Sequence, residues 1–343
     1  MRGGSRAGEA RITIENLRLF EGYSLAWFAD AAVRLTAGCS IQNLNEQLVG
    51  TIISYVASTA KNVDIAPVPY GGKDLRMTIG TAMETLKRRS TRAVALPSAF
   101  SIDFAEYVRT AGGSCTSDTS ATKREVFRAS EEVVALACIG AWLTRAYVRG
   151  GGGEPEEHGY VVVKVPSQLA PLYRRIHRAV LALTRRVIAA NLGFFPLLVG
   201  VSAAVALGVA RHAGAVEVIA KNPVTFEYLR LTKSGSGPTA KAVAKGADTI
   251  DVSGLARMVG RSGAAGSIYA LLSKCPQKGY YRSFVQTLTS SLAMYHFYRQ
   301  PVYIYQALRL LPSTELQREG AALHGARWGQ LAMRLKNLSR LVA

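Results

Sequence analysis

The longest uncharged stretch of the chain runs from Leu192 to Ala210 and is apolar along almost its whole length. As an α-helix it would span about 28 Å, close to the hydrocarbon thickness of a bilayer. Small residues dilute its hydrophobicity, and both of its flanks are basic, so charge indicates no membrane orientation. A helix that is apolar all round lies either in a membrane or at the centre of a core. We expect a core helix, with a membrane anchor as the alternative.

Elsewhere the apolar residues recur every three or four positions, which is typical of amphipathic helices. Residues 22–37 and 41–61 show this pattern, and in the second segment Leu44, Leu48, Ile52 and Val56 mark the expected buried stripe. Further predicted helices cover residues 73–92, 122–147, 168–190, 252–260, 264–273, 278–298, 301–311 and 314–341.

Short apolar or alternating runs predict a few strands. These runs cover residues 11–15, 160–165, 215–220 and 224–232, with a turn at Asn222-Pro223 between the last two. The pattern therefore predicts an α+β fold that is mainly helical, with a small β-sheet and a helical C-terminal part.

The charge distribution suggests where the chain divides. Residues 1–157 hold 18 Lys+Arg and 17 Asp+Glu, whereas residues 158–343 hold 24 Lys+Arg and 6 Asp+Glu. A glycine run from Gly150 to Gly153 stands just before this change. We predict a near-neutral, mostly helical part over 1–157, a basic α+β part over 158–275 and a helical part over 276–343.

The net charge of +19 indicates a polyanionic partner. No acidic residue occurs between Glu157 and Glu217, and none occurs between Asp251 and Glu315. Arginine outnumbers lysine by 30 to 12, and the guanidinium group suits phosphate oxygens. Nucleic acid is the expected partner, and an anionic membrane surface is the alternative.

The predicted helix over 168–190 gathers arginines on one side. At about 100° per residue, they occupy about one third of its circumference, and the apolar residues lie opposite. The alternative is a face that only contacts solvent, but this helix has no acid for i,i+4 pairs. We call these residues the arginine face and predict that they bind phosphates: Arg174, Arg175, Arg178, Arg185 and Arg186.

Three further basic groups are candidates for nucleic-acid binding. Lys233, Lys241 and Lys245 stand in or beside a Gly/Ser-rich segment, although a plain hairpin loop explains them equally well. The second group is Lys87, Arg88 and Arg89, near the end of the predicted 73–92 helix. The alternative to nucleic-acid binding is that these residues only offset the negative end of the helix dipole. The third is Lys278 and Arg282, which stand among tyrosines that could stack on bases but more often form a core.

The sequence offers no catalytic residue. The five histidines show no metal-ligand spacing, the four cysteines lie far apart, and no nucleophile or dinucleotide motif is present. We therefore expect a non-enzymatic protein without a metal or cofactor. The alternative is an enzyme whose acids come from the near-neutral part, such as Asp103, Glu131 or Glu132. Because the N-terminus lacks the apolar segment of a secretory signal, we expect the protein to be cytoplasmic.

About the last 120 residues resemble a known family. The segment Phe226–Lys233 reads FEYLRLTK, residues 247–256 read ADTIDVSGLA, and a Tyr-rich helical stretch covers 283–309. This order of strands, basic loop, acidic helix start and Tyr-rich tail resembles the large subunit of archaeal type I-A CRISPR interference (Cascade) complexes.

The resemblance implies an RNA-binding and DNA-binding role in antiviral defence. Such subunits are not nucleases; they contact the guide RNA and help recognise the motif that flanks the target DNA. Their partners would be guide RNA, target DNA, backbone proteins, a small helical subunit and a helicase-nuclease. The resemblance transfers no individual residue that reads the motif.

Overall fold

In a computed structural model, the chain forms two compact units. The first comprises residues 1–162 and 228–248, and the second comprises 163–227 and 249–343. The structure describes residues 11–59, 77–96, 99–100, 102, 128–151, 154–210, 212, 214–234 and 241–341.

Helices dominate the described residues, and the strands form two small sheets, so the predicted mainly helical α+β class is confirmed. The helices are α1 Ser24–Ala37, α2 Glu46–Thr59, α3 Ile79–Arg88, α4 Glu131–Thr144, α5 Tyr173–Ala189, α6 Phe194–Val209, α7 Ala215–Lys221, α8 Ser253–Arg261, α9 Ala265–Ser273, α10 Tyr280–Tyr298, α11 Pro301–Leu308, α12 Thr314–His324 and α13 Trp328–Lys336. The strands are β1 Arg11–Ile12, β2 Ala93–Ala95, β3 Arg128–Ser130, β4 Arg145–Gly151, β5 Glu154–Lys164, β6 Thr225–Ser234 and β7 Lys241–Asp251.

The first unit is built around the close packing of α1 on α4. Gly140 of α4 lies directly against the backbone of Phe28 in α1, where a Cβ atom would overlap the Phe28 carbonyl. The Phe28 ring packs edge-on against Tyr160, with the ring centroids 4.9 Å apart. Helices α2 and α3 complete this core with buried Ile52, Val56 and Leu86.

Two sheets accompany these helices. In the three-stranded sheet β3 is central, and it pairs parallel with β1 and antiparallel with β2. The four-stranded sheet has the order β4-β5-β6-β7, and β4 pairs antiparallel with β5, placing Arg149 opposite Glu157. The chain passes from one unit to the other within β5, β6 and β7.

The second unit is centred on α6, the helix that carries the long apolar segment. From Pro196 to Val209 almost every residue of this helix is buried, and helices α5, α8, α9 and α10 pack against it. The predicted core helix is therefore confirmed. No helix in the described part of the chain is both long and apolar enough to cross a membrane.

Several predicted elements have different boundaries or types. The segment 215–220, expected as a strand, is helix α7, because Ala215 and Ile219 bury one helical face while Val216 stays exposed. The predicted helix 122–147 is helical only in α4, since pairing with β5 turns the chain into a strand at Arg145. Residues 122–127 lie outside the described ranges.

Other differences concern where helices start and stop. The 41–61 helix begins at Glu46, and Val49 rather than Leu44 or Leu48 joins Ile52 and Val56 in the core. The predicted 73–92 helix is helical only over Ile79–Arg88, strand β2 follows at Ala93–Ala95, and residues 73–76 lie outside the described part. The 314–341 helix is interrupted at Gly325, whose φ is +58°.

The division into units also differs from the three predicted parts. Gly150 and Gly151 end β4, and the predicted boundary between 157 and 158 falls within its partner strand β5, inside the first unit. The first change of unit comes between Val162 and Val163, and residues on both sides of 275 belong to the second unit.

Prediction on the α1–α4 contact. We expect Gly140→Ala to lower the free energy of unfolding by about 1–3 kcal/mol, because the new methyl group must displace backbone instead of a flexible side chain. Gly50→Ala is the matched control: Gly50 lies in α2 with nothing within 4 Å of its added Cβ, so this change should stabilise by about 0.5–1 kcal/mol. Urea unfolding followed by circular dichroism measures both. Equal stability of the two variants would contradict the proposed close contact.

Candidate nucleic-acid interface

Helix α5 has one apolar face and one basic face. It follows a short 3-10 helix, Ser167–Leu172, and contains no acidic residue. The buried face comprises Tyr173, Ile176, His177, Val180, Leu183, Thr184 and Val187. This face includes the apolar residues predicted to be buried, so the sequence periodicity oriented the helix correctly.

The arginine face lies on the opposite side of α5. Arg175, Arg178, Arg185 and Arg186 are exposed, and Arg174 is half-buried. Among the residues that the structure describes, none makes a hydrogen bond or ion pair with the side chain of Arg175 or of Arg186. The structure therefore presents the predicted residues as one basic surface on a single rigid element.

The acidic residues of the second unit lie in an ion pair or near helix starts, and none of them lies on α5. This unit holds 20 Lys+Arg and only 5 Asp+Glu. Glu227 pairs with Lys164 at 2.8 Å, and Asp251 accepts a 2.8 Å hydrogen bond from the Ser253 backbone N–H at the start of α8. Glu217 and Glu315 lie in the first turns of α7 and α12. The carboxylates of Asp251, Glu217 and Glu315 offset the positive ends of helix dipoles.

The fifth acid, Glu319, ties α12 to the start of α10. Its carboxylate accepts hydrogen bonds from the backbone N–H groups of Tyr281, at 2.7 Å, and Tyr280, at 3.3 Å. Those N–H groups have no partner within their own helix. No local motif signals this contact, because its partners are nearly 40 residues apart in sequence.

The C-terminal end of α5 is held by side chains from the segment that leads into α10. Gln277 donates to the Ala189 carbonyl at 3.2 Å, and Arg282 donates to the carbonyls of Asn191, at 2.7 Å, and Gln277. Lys278 lies between these two anchors and is exposed. The structure thus brings Lys278 and Arg282 to the end of α5, next to its last basic turn.

These contacts change the interpretation of Arg282. Its guanidinium stabilises backbone carbonyls that no helical N–H satisfies, which is a structural role the sequence prediction did not include. Lys278 remains a candidate for binding, and its position extends the basic surface of α5 toward α10.

The basic group at the end of α3 belongs to the first unit and is largely paired. Arg89, in the left-handed conformation with φ +49°, contacts Glu132 at 3.0 Å, and Arg88 lies 3.8 Å from Glu84. Burial raises the pKa of Glu132, and the charge of Arg89 opposes that shift. All three residues of this group are exposed, and Arg89 helps to fix α3 against α4.

Lys245 takes part in a polar network of the first unit. Its ammonium lies 2.7 Å from Glu157, which also accepts a hydrogen bond from the Tyr147 hydroxyl. That hydroxyl lies 2.8 Å from the hydroxyl of Tyr228. Burial alone would raise the pKa of Glu157, but the hydrogen bonds from Lys245 and Tyr147 outweigh it and hold the pKa below its usual value.

Lys233 and Lys241 stand at the facing ends of β6 and β7. Residues 235–240 and the side chains of these two lysines lie outside the described part of the chain. Their predicted contact with nucleic acid stays a prediction.

Residues that could carry chemistry are dispersed. Within the described ranges, no three His, Cys, Asp or Glu side chains come together as metal ligands would. Burial lowers the pKa of His158, His296 and His324, which favours their neutral forms. The His324 ring lies 2.7 Å from the Tyr281 hydroxyl, which is a structural contact within the second unit.

Comparison with known proteins returned no match: no family model, no curated protein and no solved structure is similar to this chain.

Prediction on Lys245. We expect Lys245→Gln to lower the free energy of unfolding by roughly 1 kcal/mol near pH 7, because Glu157 loses its cation, while half-exposure of the lysine limits the effect. The difference from the parent should be present above the ordinary pKa of Glu157, 4.5, and vanish as the pH falls through its lower folded value. Chemical unfolding between pH 3 and 7 tests this. A variant that keeps its stability but binds nucleic acid more weakly would instead place Lys245 in the interface.

Proposed function

We propose that the second unit binds nucleic acid by contacting phosphates along the arginine face of α5. The supporting observation is that four exposed arginines and the half-buried Arg174 share one side of a helix whose other side is buried in the core. A guanidinium offers paired donors that match phosphate oxygens, and its charge persists at any physiological pH.

The size of this surface fits several phosphate contacts. From Arg174 to Arg186 the helix rises about 18 Å, a length of duplex that carries roughly ten phosphate charges. Lys278, at the C-terminal end of α5, would add a further cation. With no catalytic residue assigned, the proposed role is to bind nucleic acid and not to cleave it.

We further propose that this binding serves an RNA-guided antiviral complex, as a non-catalytic large subunit. The support is the resemblance of residues 226–233, 247–256 and 283–309, which form β6, the β7–α8 junction and the α10–α11 pair. In that role the basic surface would contact guide RNA, target DNA or both. The protein partners would be the backbone proteins, the small helical subunit and the helicase-nuclease.

Prediction on the arginine face. We expect the triple variant Arg175→Gln, Arg178→Gln and Arg186→Gln to bind duplex DNA more weakly at every sequence tested. Each lost phosphate contact also removes about one unit from the slope of log affinity against log salt, so the slope should fall by roughly 2 to 3. Glutamine keeps helix propensity, so the fold should survive. Fluorescence anisotropy over a salt series measures the slope.

A matched control separates position from total charge. Arg318, Arg327 and Arg334 are also exposed in the second unit, on or beside α12 and α13. Changing these three to Gln removes the same charge and should alter the slope by much less. Equal losses in both triple variants would mean that α5 is not the binding surface.

Prediction on the complex. When the tagged protein is isolated from its native cells, we expect short RNAs that share a common repeat-derived end to co-purify with it. The arginine-face triple variant should recover less of this RNA, because its phosphate contacts are weakened. Sequencing of the bound RNA provides the readout. Recovery of only bulk RNA without a shared end would contradict the guided-complex assignment and leave general nucleic-acid binding in place.

A further inference from the structure

The junction of α10 and α11 exposes an unusual number of aromatic rings. Phe297, Tyr298 and Tyr305 are 58%, 60% and 56% exposed, and Tyr303 beside them is half-buried. Four rings within nine residues, three of them more than half exposed, make this junction a candidate interaction site. We call these four residues the aromatic patch.

The backbone at the junction holds these rings in place. Helix α10 ends at Tyr298, and Arg299 adopts the left-handed conformation with φ +57° while its N–H donates to the Tyr295 carbonyl at 2.8 Å. Pro301 then begins α11, which brings the rings of Tyr298 and Tyr303 to a centroid separation of 6.3 Å. Non-glycine residues in left-handed backbone are uncommon, and they often occur at functional sites.

A neighbouring aromatic ring packs against Phe297. The ring of His296 packs edge-on against it at 5.5 Å, and Gly254 in α8 leaves room for that imidazole, since a Cβ atom there would lie 2.7 Å from His296. Burial, together with the charge of Arg299, lowers the pKa of His296, although Asp251 opposes the shift. The lowered pKa favours the neutral form of the His296 ring, which packs beside Phe297.

The surroundings of the patch are basic. The guanidinium of Arg299 lies 6.0 Å from the centroid of the Tyr295 ring. On α11, Val302, Tyr305 and Arg309 recur at helical spacing along the exposed side. Two arginines, Arg299 and Arg257, and one acid, Asp251, act on His296 beside the patch, so positive charge predominates there.

We propose that the aromatic patch is a stacking platform for unpaired bases of single-stranded nucleic acid. Flat rings offer their faces to bases of any sequence, and adjacent arginines attract the phosphates between them. This inference rests on the proposed nucleic-acid binding and deepens it, because the patch would take single strands while the arginine face contacts phosphates of any nucleic acid.

The composition of the patch favours bases over an apolar partner. Membrane-surface segments bury a broad face rich in Leu, Trp and Phe, whereas three of the four patch rings are tyrosines and Val302 is the exposed aliphatic residue beside them. An apolar protein or lipid surface would tolerate an aliphatic side chain in place of a ring. A stacked base would not.

This difference gives the test. The double variants Tyr298→Leu/Tyr305→Leu and Tyr298→Phe/Tyr305→Phe are compared with the parent for binding to a twenty-nucleotide oligo(dT) and to a duplex of equal length. We expect the Leu variant to lose at least about fivefold in single-strand affinity, the lower end for one lost stacked base, while the Phe variant keeps it. Duplex affinity should change less than twofold in both.

A second measurement does not depend on the variants. Ultraviolet cross-linking of oligo(dT) to the intact parent should attach the oligonucleotide to peptides that contain Tyr298, Tyr303 or Tyr305. Cross-links confined to other peptides would overturn the platform, as would a Leu variant that retains full single-strand affinity. The patch would instead be assigned to a membrane surface if the parent and the Leu variant both bind phosphatidylserine vesicles and neither binds oligo(dT).

The failure of the platform can be told apart from the failure of the proposed function. If the parent binds duplex through the arginine face but the Leu variant changes nothing, only the platform is wrong. If the parent binds neither duplex nor oligo(dT), both proposals are wrong.

Discussion

The packing of α5 on α6 determines what the second unit presents to its surroundings. Ile176 and Leu183 lie where Cβ atoms on Gly208 and Gly200 would overlap them, so two glycines let the helices approach closely. Because the apolar side of α5 is fixed in this way, its arginines can only lie on the outer side. Close packing in the core thus positions the candidate interface, although no core residue takes part in it.

The few acidic residues of the second unit explain why this surface stays basic. They cap or offset helix N-termini, as Asp251 and Glu319 do, or pair locally, as Glu227 does with Lys164. Each of these positions stabilises the fold. Concentrated positive charge destabilises a compact state through self-repulsion, and binding of a polyanion would offset that cost.

Sequence patterns predicted the long, strongly periodic elements and failed where pairing or packing decides. The core helix α6 and the two faces of α5 followed from hydrophobicity alone. Strand β4 did not follow from the sequence, because the helical pattern of α4 continues into its first residues. Pairing of Arg145 with Tyr160 of β5 makes this segment a strand. Similarly, the alternating residues of 215–220 resemble a strand, but burial of Ala215 and Ile219 on one side selects a helix.

For the candidate site, the sequence determined which residues share a helix face, since a fixed period of about 3.6 residues sets their directions. Only the tertiary structure decided which basic side chains already form ion pairs or hydrogen bonds within the protein. Lys245 meets Glu157, Arg89 meets Glu132, and Arg282 meets the carbonyl of Asn191 through contacts between residues far apart in sequence. Such contacts depend on how elements pack, and no local pattern encodes them.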